Sequence, residues 1–241
     1  MGSSARLGNT AFAIGFSLAE VTEVEQFVAR EEELARIHKV LRHGSGRRTA
    51  VVYGLGGIGK TQLAVAYAKR HRDDYSAVFW LNARDEITLK QGFVIVAKRI
   101  LREQPSVVYV ANAVQSRDFD ETVGAVKRWF DQPKNNRWLI IYDNYDNPAL
   151  DRDTGGQPTK HEDLNTADSD VDIVTRGYDI RLFLPDTYHG AILITTRSAK
   201  VKIGCQVALG KLKDLKDSLE ILANTSNSNC YDLQKGMWLL T

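Results

Sequence analysis

The chain has 241 residues, 43% of them hydrophobic, with 32 basic and 30 acidic residues and a formal charge of +2. That length suffices for one large or two small domains with a proper core, and the near-neutral charge excludes a global pull towards nucleic acid or a membrane surface, so any anion site must be local. No apolar run reaches the roughly 18 residues that span a bilayer and no secretory signal pattern opens the chain; its two cysteines, Cys205 and Cys230, have no ligand-spaced partners and suggest neither disulfide framework nor zinc site, which fits a reducing, cytoplasmic setting.

Residues 1–25 show weak periodicity and are expected to form an extension or linker, with Met1-Gly2-Ser3-Ser4 left out of the fold reading. From Arg30 to Leu41, Leu34, Ile37, Val40 and Leu41 recur at helical spacing with charges between them, which predicts an amphipathic helix. Thr49 to Tyr53 is a short apolar run of strand type, and the stretch from Gln62 to Lys69 is rich in helix formers. Between them stands Gly54-Leu55-Gly56-Gly57-Ile58-Gly59-Lys60-Thr61, a complete G-x-x-x-x-G-K-T phosphate-binding loop in the strand, loop, helix order that the motif requires. Its glycines allow positive φ and close approach to phosphates, so that backbone N–H groups turn inward, and the helix beginning near Lys60 adds the positive end of its dipole. The expected nucleotide-binding set here is Gly54, Gly56, Gly57, Ile58, Gly59, Lys60, Thr61 and Gln62. Within it, Lys60 is expected to reach the β- and γ-phosphates and the Thr61 hydroxyl to take one position on Mg²⁺.

Ala77 to Asn82 reads as a second buried strand, Thr88 to Leu101 as a helix, residues 103–118 as a loop, and Glu121 to Phe130 as a helix closed by Pro133. Trp138-Leu139-Ile140-Ile141-Tyr142 is unbroken apolar, as a parallel strand covered on both faces should be, and it ends in Asp143. An acid at such a strand end, downstream of a P-loop, can hold Mg²⁺ or its waters, so Asp143 joins Thr61 as an expected metal ligand. Many hydrolysing relatives carry a second acid at the next position, able to polarise the attacking water. Asn144 stands there instead, Asp146 is the nearest replacement, and slow hydrolysis is expected. Residues 146–176 are rich in Asp, Asn, Thr, Gly and Pro and read as an acidic surface insertion. A short helix from Asp179 to Phe183 then precedes a fourth buried strand, Gly190 to Arg197. Arg197 ends that strand at the carboxyl edge of the sheet, where its guanidinium could report the γ-phosphate through a charge-assisted contact. A short strand at Gln206 to Leu209 and a helix from Leu215 to Leu222 complete the predicted elements. Strands alternating with helices predict an α/β three-layer sandwich around a mostly parallel sheet.

Together, Phe27-Val28-Ala29-Arg30-Glu31, the Gly54 to Thr61 loop, Val78 to Ala83, Leu139 to Asn144 and Ile192 to Arg197 resemble the NB-ARC nucleotide-binding module, most closely that of fungal NOD-like receptors, which belong to the STAND class of P-loop signalling ATPases. The resemblance implies a P-loop NTPase fold for residues 26–225. It also implies backbone contacts to adenine at Val28, a nucleotide-holding role for Arg30, a Walker B role for Asp143 and a sensor role for Arg197. Such proteins rest with ADP and exchange it for ATP, which drives homo-oligomerisation into a signalling platform. They continue into a helical ARC subdomain with a Gly-x-Pro motif, a winged helix and a repeat region. The last proline here is Pro185, so residues 226–241 only lead towards an ARC portion, and the chain reads as an excised domain or a short natural form. Two alternatives stay open. A metabolic P-loop kinase would need an arginine-bearing lid, whereas residues 146–181 are acidic with only Arg152, Arg176 and Arg181; a non-hydrolysing scaffold is kept open by Asn144.

Overall fold

In this computed structural model, which describes residues 30–42, 48–149 and 177–211, the apolar runs become β1 (Arg48–Tyr53), β2 (Ala77–Asn82), β3 (Trp138–Asp143), β4 (Ala191–Thr196) and β5 (Cys205–Ala208). They pair in one wholly parallel sheet in the order β2-β3-β4-β1-β5. The helices among the described residues are α1 (Glu31–Arg42), α2 (Lys60–Arg70), α3 (Glu86–Glu103), α4 (Val108–Ser116) and α5 (Phe119–Phe130). None of the described helices is long and apolar enough to cross a membrane.

Side chains alternate between the faces of a strand, and here both faces are buried, which is why the strands read as continuous apolar runs. Ala50, Val52, Val78, Trp80, Leu139, Ile141 and Leu193 pack with Leu34, Ile37 and Leu41 of α1 and with Leu63, Ala64 and Tyr67 of α2. Their sequence neighbours Val51, Phe79, Leu81, Ile140, Tyr142, Ile192 and Ile194 pack on the other face with Leu89, Phe93, Val96 and Ile100 of α3, Val110 of α4, and Val126, Trp129 and Phe130 of α5. The result is the expected three-layer α/β sandwich, and each fully buried large side chain contributes on the order of 1.5–3 kcal/mol.

Caps fix where the helices begin. Asp85 accepts from the Thr88 N–H at 2.7 Å and so starts α3 two residues before the expected Thr88; Asp118 accepts from the N–H groups of Asp120 and Glu121 and starts α5 at Phe119. The expected loop at 103–118 is corrected by the structure, which places α4 inside it. Valines, Asn and Ser give that segment little intrinsic helical preference. Packing overrides it: Val110 and Ala113 are buried, the Thr122 hydroxyl donates to the Ala113 carbonyl at 3.1 Å, and Arg117 ends the helix in the left-handed region at φ 62°. The expected helix from Leu215 to Leu222, the tracts 1–25 and 226–241, and nearly all of the 146–176 insertion lie outside the described residues.

The turn into β4 depends on Gly190. It has φ +77°, and a Cβ there would sit 2.3 Å from the Trp138 ring, which is itself 1% exposed. Gly190→Ala therefore combines left-handed strain with overpacking, roughly 2–4 kcal/mol in all. A thermal melt should fall by about 5–15 °C for a chain of this size.

Candidate functional site

All strands being parallel, the ends of β1, β3 and β4 open on one edge. The segment after β1 leads through α2 to β2 at one margin of the sheet, and the segment after β4 leads to β5 at the other. Ligands of open α/β sheets bind at such a divergence, outside the carboxyl ends of the strands.

The loop after β1 is built for close backbone approach. Gly54 donates its N–H to the Thr196 carbonyl at 3.3 Å, and a Cβ at Gly54 would lie 2.5 Å from the Leu209 carbonyl oxygen, a clash with backbone that cannot move cheaply. Gly57 and Gly59 take φ of +72° and +93°, and among the described residues nothing lies within 4 Å of their Cβ positions. Gly59 stands at the N-cap of α2 with no side chain bonding back. The first turns of α1, α3 and α5 carry acidic residues, whereas that of α2 has none. Its positive dipole end is thus left for an exogenous anion.

Lys60 is 9% exposed and its Nζ donates to the carbonyls of Gly54 at 3.0 Å and Leu55 at 2.8 Å. Burial pushes its ammonium down from the ordinary lysine value, while the Asp146 and Asp143 charges pull it back up. The Thr61 hydroxyl donates to both carboxylate oxygens of Asp143, at 3.0 and 3.1 Å. Asp143 is 3% exposed, and burial raises its carboxyl above the usual range against the opposing hydrogen bonds from Thr195 and Thr61. A hydroxyl and a carboxylate meeting beside a phosphate cradle form a hard oxygen set of the kind Mg²⁺ takes, so the residues present fit that ion.

Arg197 lies across the loop: a Cβ on Gly56 would be 3.4 Å from its guanidinium carbon. Asp146 holds it there, accepting from the Arg197 backbone N–H at 2.7 Å and pairing with its Nε at 2.8 Å. Asn144 has φ 66°, and its side-chain amide donates to Asp143 at 3.3 Å, leaving no basic group at that position. Arg30, with an 8% exposed side chain, donates to the carbonyls of Ile58 at 3.3 Å and Gly210 at 2.8 Å, tying the start of α1 to the phosphate loop and to the segment after β5. Gln62 is half-buried in the first turn of α2, and Val28 lies outside the described residues. The structure thus gathers Arg30, the Gly54 to Gln62 segment, Asp143, Asp146 and Arg197 at one edge.

Thr195 completes the site in a way its sequence position alone does not disclose. Its hydroxyl donates to Asp143 at 2.5 Å and accepts from the Asn144 N–H at 3.0 Å. The pairing of Tyr142 with Ile194 sets Asp143 beside Thr195 across the β3–β4 ladder, and a hydroxyl ending an otherwise apolar strand was the available signal.

A family model described as an ATPase domain predominantly from Archaea matches residues 27–150. A nucleotide-binding leucine-rich repeat (NLR)-like protein of Hyaloscypha variabilis is 27% identical over 205 residues, covering 82% of this chain and 18% of the relative, so the chain spans less than a fifth of that protein's length. A crystal structure of Cdc6p from Pyrobaculum aerophilum is similar with TM-score 0.48 and 12% identity, over 86% of this chain and 52% of that one. The family match takes in just over half of the chain, including the phosphate loop and Asp143, and the chain accordingly belongs to this family of ATPase domains found predominantly in Archaea, as a P-loop nucleotide-binding domain.

Proposed function

We propose that the chain is the ADP/ATP-binding switch domain, residues 26–225, of a larger NLR-like signalling ATPase of the NB-ARC, STAND type. The observation that carries this reading is Arg197, poised over Gly56 and held by Asp146. A terminal phosphate would compete with that carboxylate for the guanidinium, so triphosphate and diphosphate favour two different arrangements of the same edge. The name of the Hyaloscypha relative supports the choice of family, and the large unmatched remainder of that protein leaves room for the ARC, winged-helix and repeat portions. The setting is cytoplasmic, and homo-oligomerisation on activation belongs to the full-length protein.

Arg30 and Val28 would hold the nucleoside end, the Gly54 to Gln62 segment the phosphates, and Thr61 with Asp143 the Mg²⁺. Bound there, the ion would neutralise charge on the β- and γ-phosphates. Among the described residues Asp146 is the acid at this edge besides Asp143, and it becomes available to a water as Arg197 turns to phosphate. An amide at Asn144 cannot accept a proton, so hydrolysis is slow. The same amide favours a second reading, a nucleotide-binding scaffold without turnover.

Calorimetric titration of the chain with ADP and with ATP plus Mg²⁺, alongside a phosphate-release assay, tests the proposal. Tight ADP, weaker ATP and slow release are expected. Turnover typical of a fast ATPase would sink the switch reading, and phosphorylation of a small acceptor would replace it with a kinase. Arg197→Ala is expected to spare ADP and to weaken ATP about 10- to 100-fold, the loss of one or two charge-assisted hydrogen bonds. Equal loss for both nucleotides would remove the sensor role.

A further inference from the structure

At the far end of α2 from the phosphate loop, three side chains from separate places in the chain meet. His38 comes from the middle of α1, His71 from the C-cap of α2, and Asp74 from the 3-10 turn Arg72–Asp74 that follows. The two imidazole rings lie 3.9 Å apart, centroid to centroid, at 17°. His71 Nδ1 is 3.4 Å from Asp74 Oδ2, and all three residues offer a ligand atom within 4.8 Å of one another. Among the described residues the His38 Nδ1 is buried and has no hydrogen-bond partner, a condition that buried ring nitrogens ordinarily avoid.

We propose that His38, His71 and Asp74 form a zinc site that pins α1 to the end of α2. Two imidazole nitrogens and one carboxylate oxygen are a set that Zn²⁺ takes with water in the fourth position, whereas Mg²⁺ and Ca²⁺ ask for oxygen alone. For Zn–ligand bonds of about 2.0–2.1 Å the edge of a tetrahedron is roughly 3.3 Å, close to the His71–Asp74 separation. The carboxylate is already oriented for single-oxygen ligation. Arg42 takes its Oδ1 at 2.6 Å and leaves Oδ2 directed at His71, the kind of outer hydrogen bond that fixes a metal-binding carboxylate. Arg137 donates to the backbone carbonyls of Asp73 and Asp74, at 3.2 Å in each case, and so holds the turn itself. Both histidines are partly exposed, which leaves a route from solvent. The His38 ring must close on the other two by a side-chain rotation, which breaks its stack with His71 and gives its orphaned nitrogen a partner.

The site lies about 16 Å along α2 from Lys60, the length of an 11-residue helix, so it is independent of the nucleotide reading. The test uses the full chain without a histidine tag, freed of metal by chelation and titrated with ZnCl₂ by calorimetry, with thermal melting in parallel. One equivalent is expected to bind with a micromolar or lower dissociation constant and to raise the melting temperature by several degrees, while millimolar Mg²⁺ raises it far less. Asp74→Asn and His38→Gln should each weaken Zn²⁺ at least tenfold with ADP binding unchanged. Co²⁺ on the unaltered chain should give the strong visible bands of a four-coordinate site without a thiolate charge-transfer band. No saturable Zn²⁺ binding below about 1 mM, unchanged affinity in both variants, or a thiolate band would overturn the proposal.

Discussion

Lys60→Ala is expected to raise the dissociation constants of ADP and ATP by about 100-fold or more. The ammonium is a buried cation at the phosphate cradle, and it now donates to the Gly54 and Leu55 carbonyls of its own loop. When phosphate arrives, those two neutral acceptors are exchanged for charged ones, and charge-assisted bonds contribute roughly 1.5–3 kcal/mol each. Losing one or two of them reaches the roughly 2.7 kcal/mol that a hundredfold change requires. The fold should survive, because the helix, the glycine turns and the sheet around Lys60 do not depend on its charge; removing the amine leaves two loop carbonyls to water, at a cost of about 1 kcal/mol. Calorimetry with each nucleotide, and circular dichroism to verify the fold, decide the matter. Binding of ADP at wild-type strength would mean that the phosphates do not sit on this loop.

What could be read from the chain alone follows from how far apart the cooperating residues stand. The phosphate loop was legible because eight consecutive residues carry it and a strand and helix flank it. Asp143 was legible because an apolar strand announced it. The order β2-β3-β4-β1-β5 was not, since no local pattern says that β4 lies between the other two functional strands. Contacts that depend on that order were correspondingly hidden. Thr195 reaches Asp143 from 52 residues away, and Asp146 reaches Arg197 from 51. Asp146 and Arg197 could each be singled out, one as a possible water-polarising acid and the other as a sensor, but their ion pair could not. The missed α4 has a different cause: its sequence prefers a helix weakly, and the helix exists because α3 and α5 bury Val110 and Ala113. His38, His71 and Asp74 show no ligand spacing that a motif search would register, because His38 joins the other two only when α1 packs beside α2.

Asp143→Asn is expected to separate function from stability. The variant should lose the Mg²⁺-dependent part of ATP binding, while the nucleotide-free chain melts at pH 7 no lower than the original. The reason lies in the sign of the titration. Burial raises the folded-state pKa of Asp143 above its value in the unfolded chain, so the group's contribution to stability is complete below the unfolded pKa of about 3.9 and is lost as pH rises through the folded value. At neutral pH the ionised carboxylate is therefore held in the fold at a cost, partly offset by the hydroxyls of Thr61 and Thr195. Asparagine has no charge to desolvate, and its carbonyl oxygen can accept from the same hydroxyls. The stability difference between the two proteins should shrink as pH falls below the carboxylate range. With Mg²⁺ and ATP present the order reverses, because a divalent cation favours the ionised acid, and the affinity of the original chain for Mg²⁺ should climb as pH rises through the raised pKa. Melting curves of both proteins across that range, with and without Mg²⁺-ATP, carry the test. If nucleotide-free Asp143→Asn melts well below the original at pH 7, the carboxylate is a net anchor of the fold through the nearby Lys60 charge, and the burial argument fails.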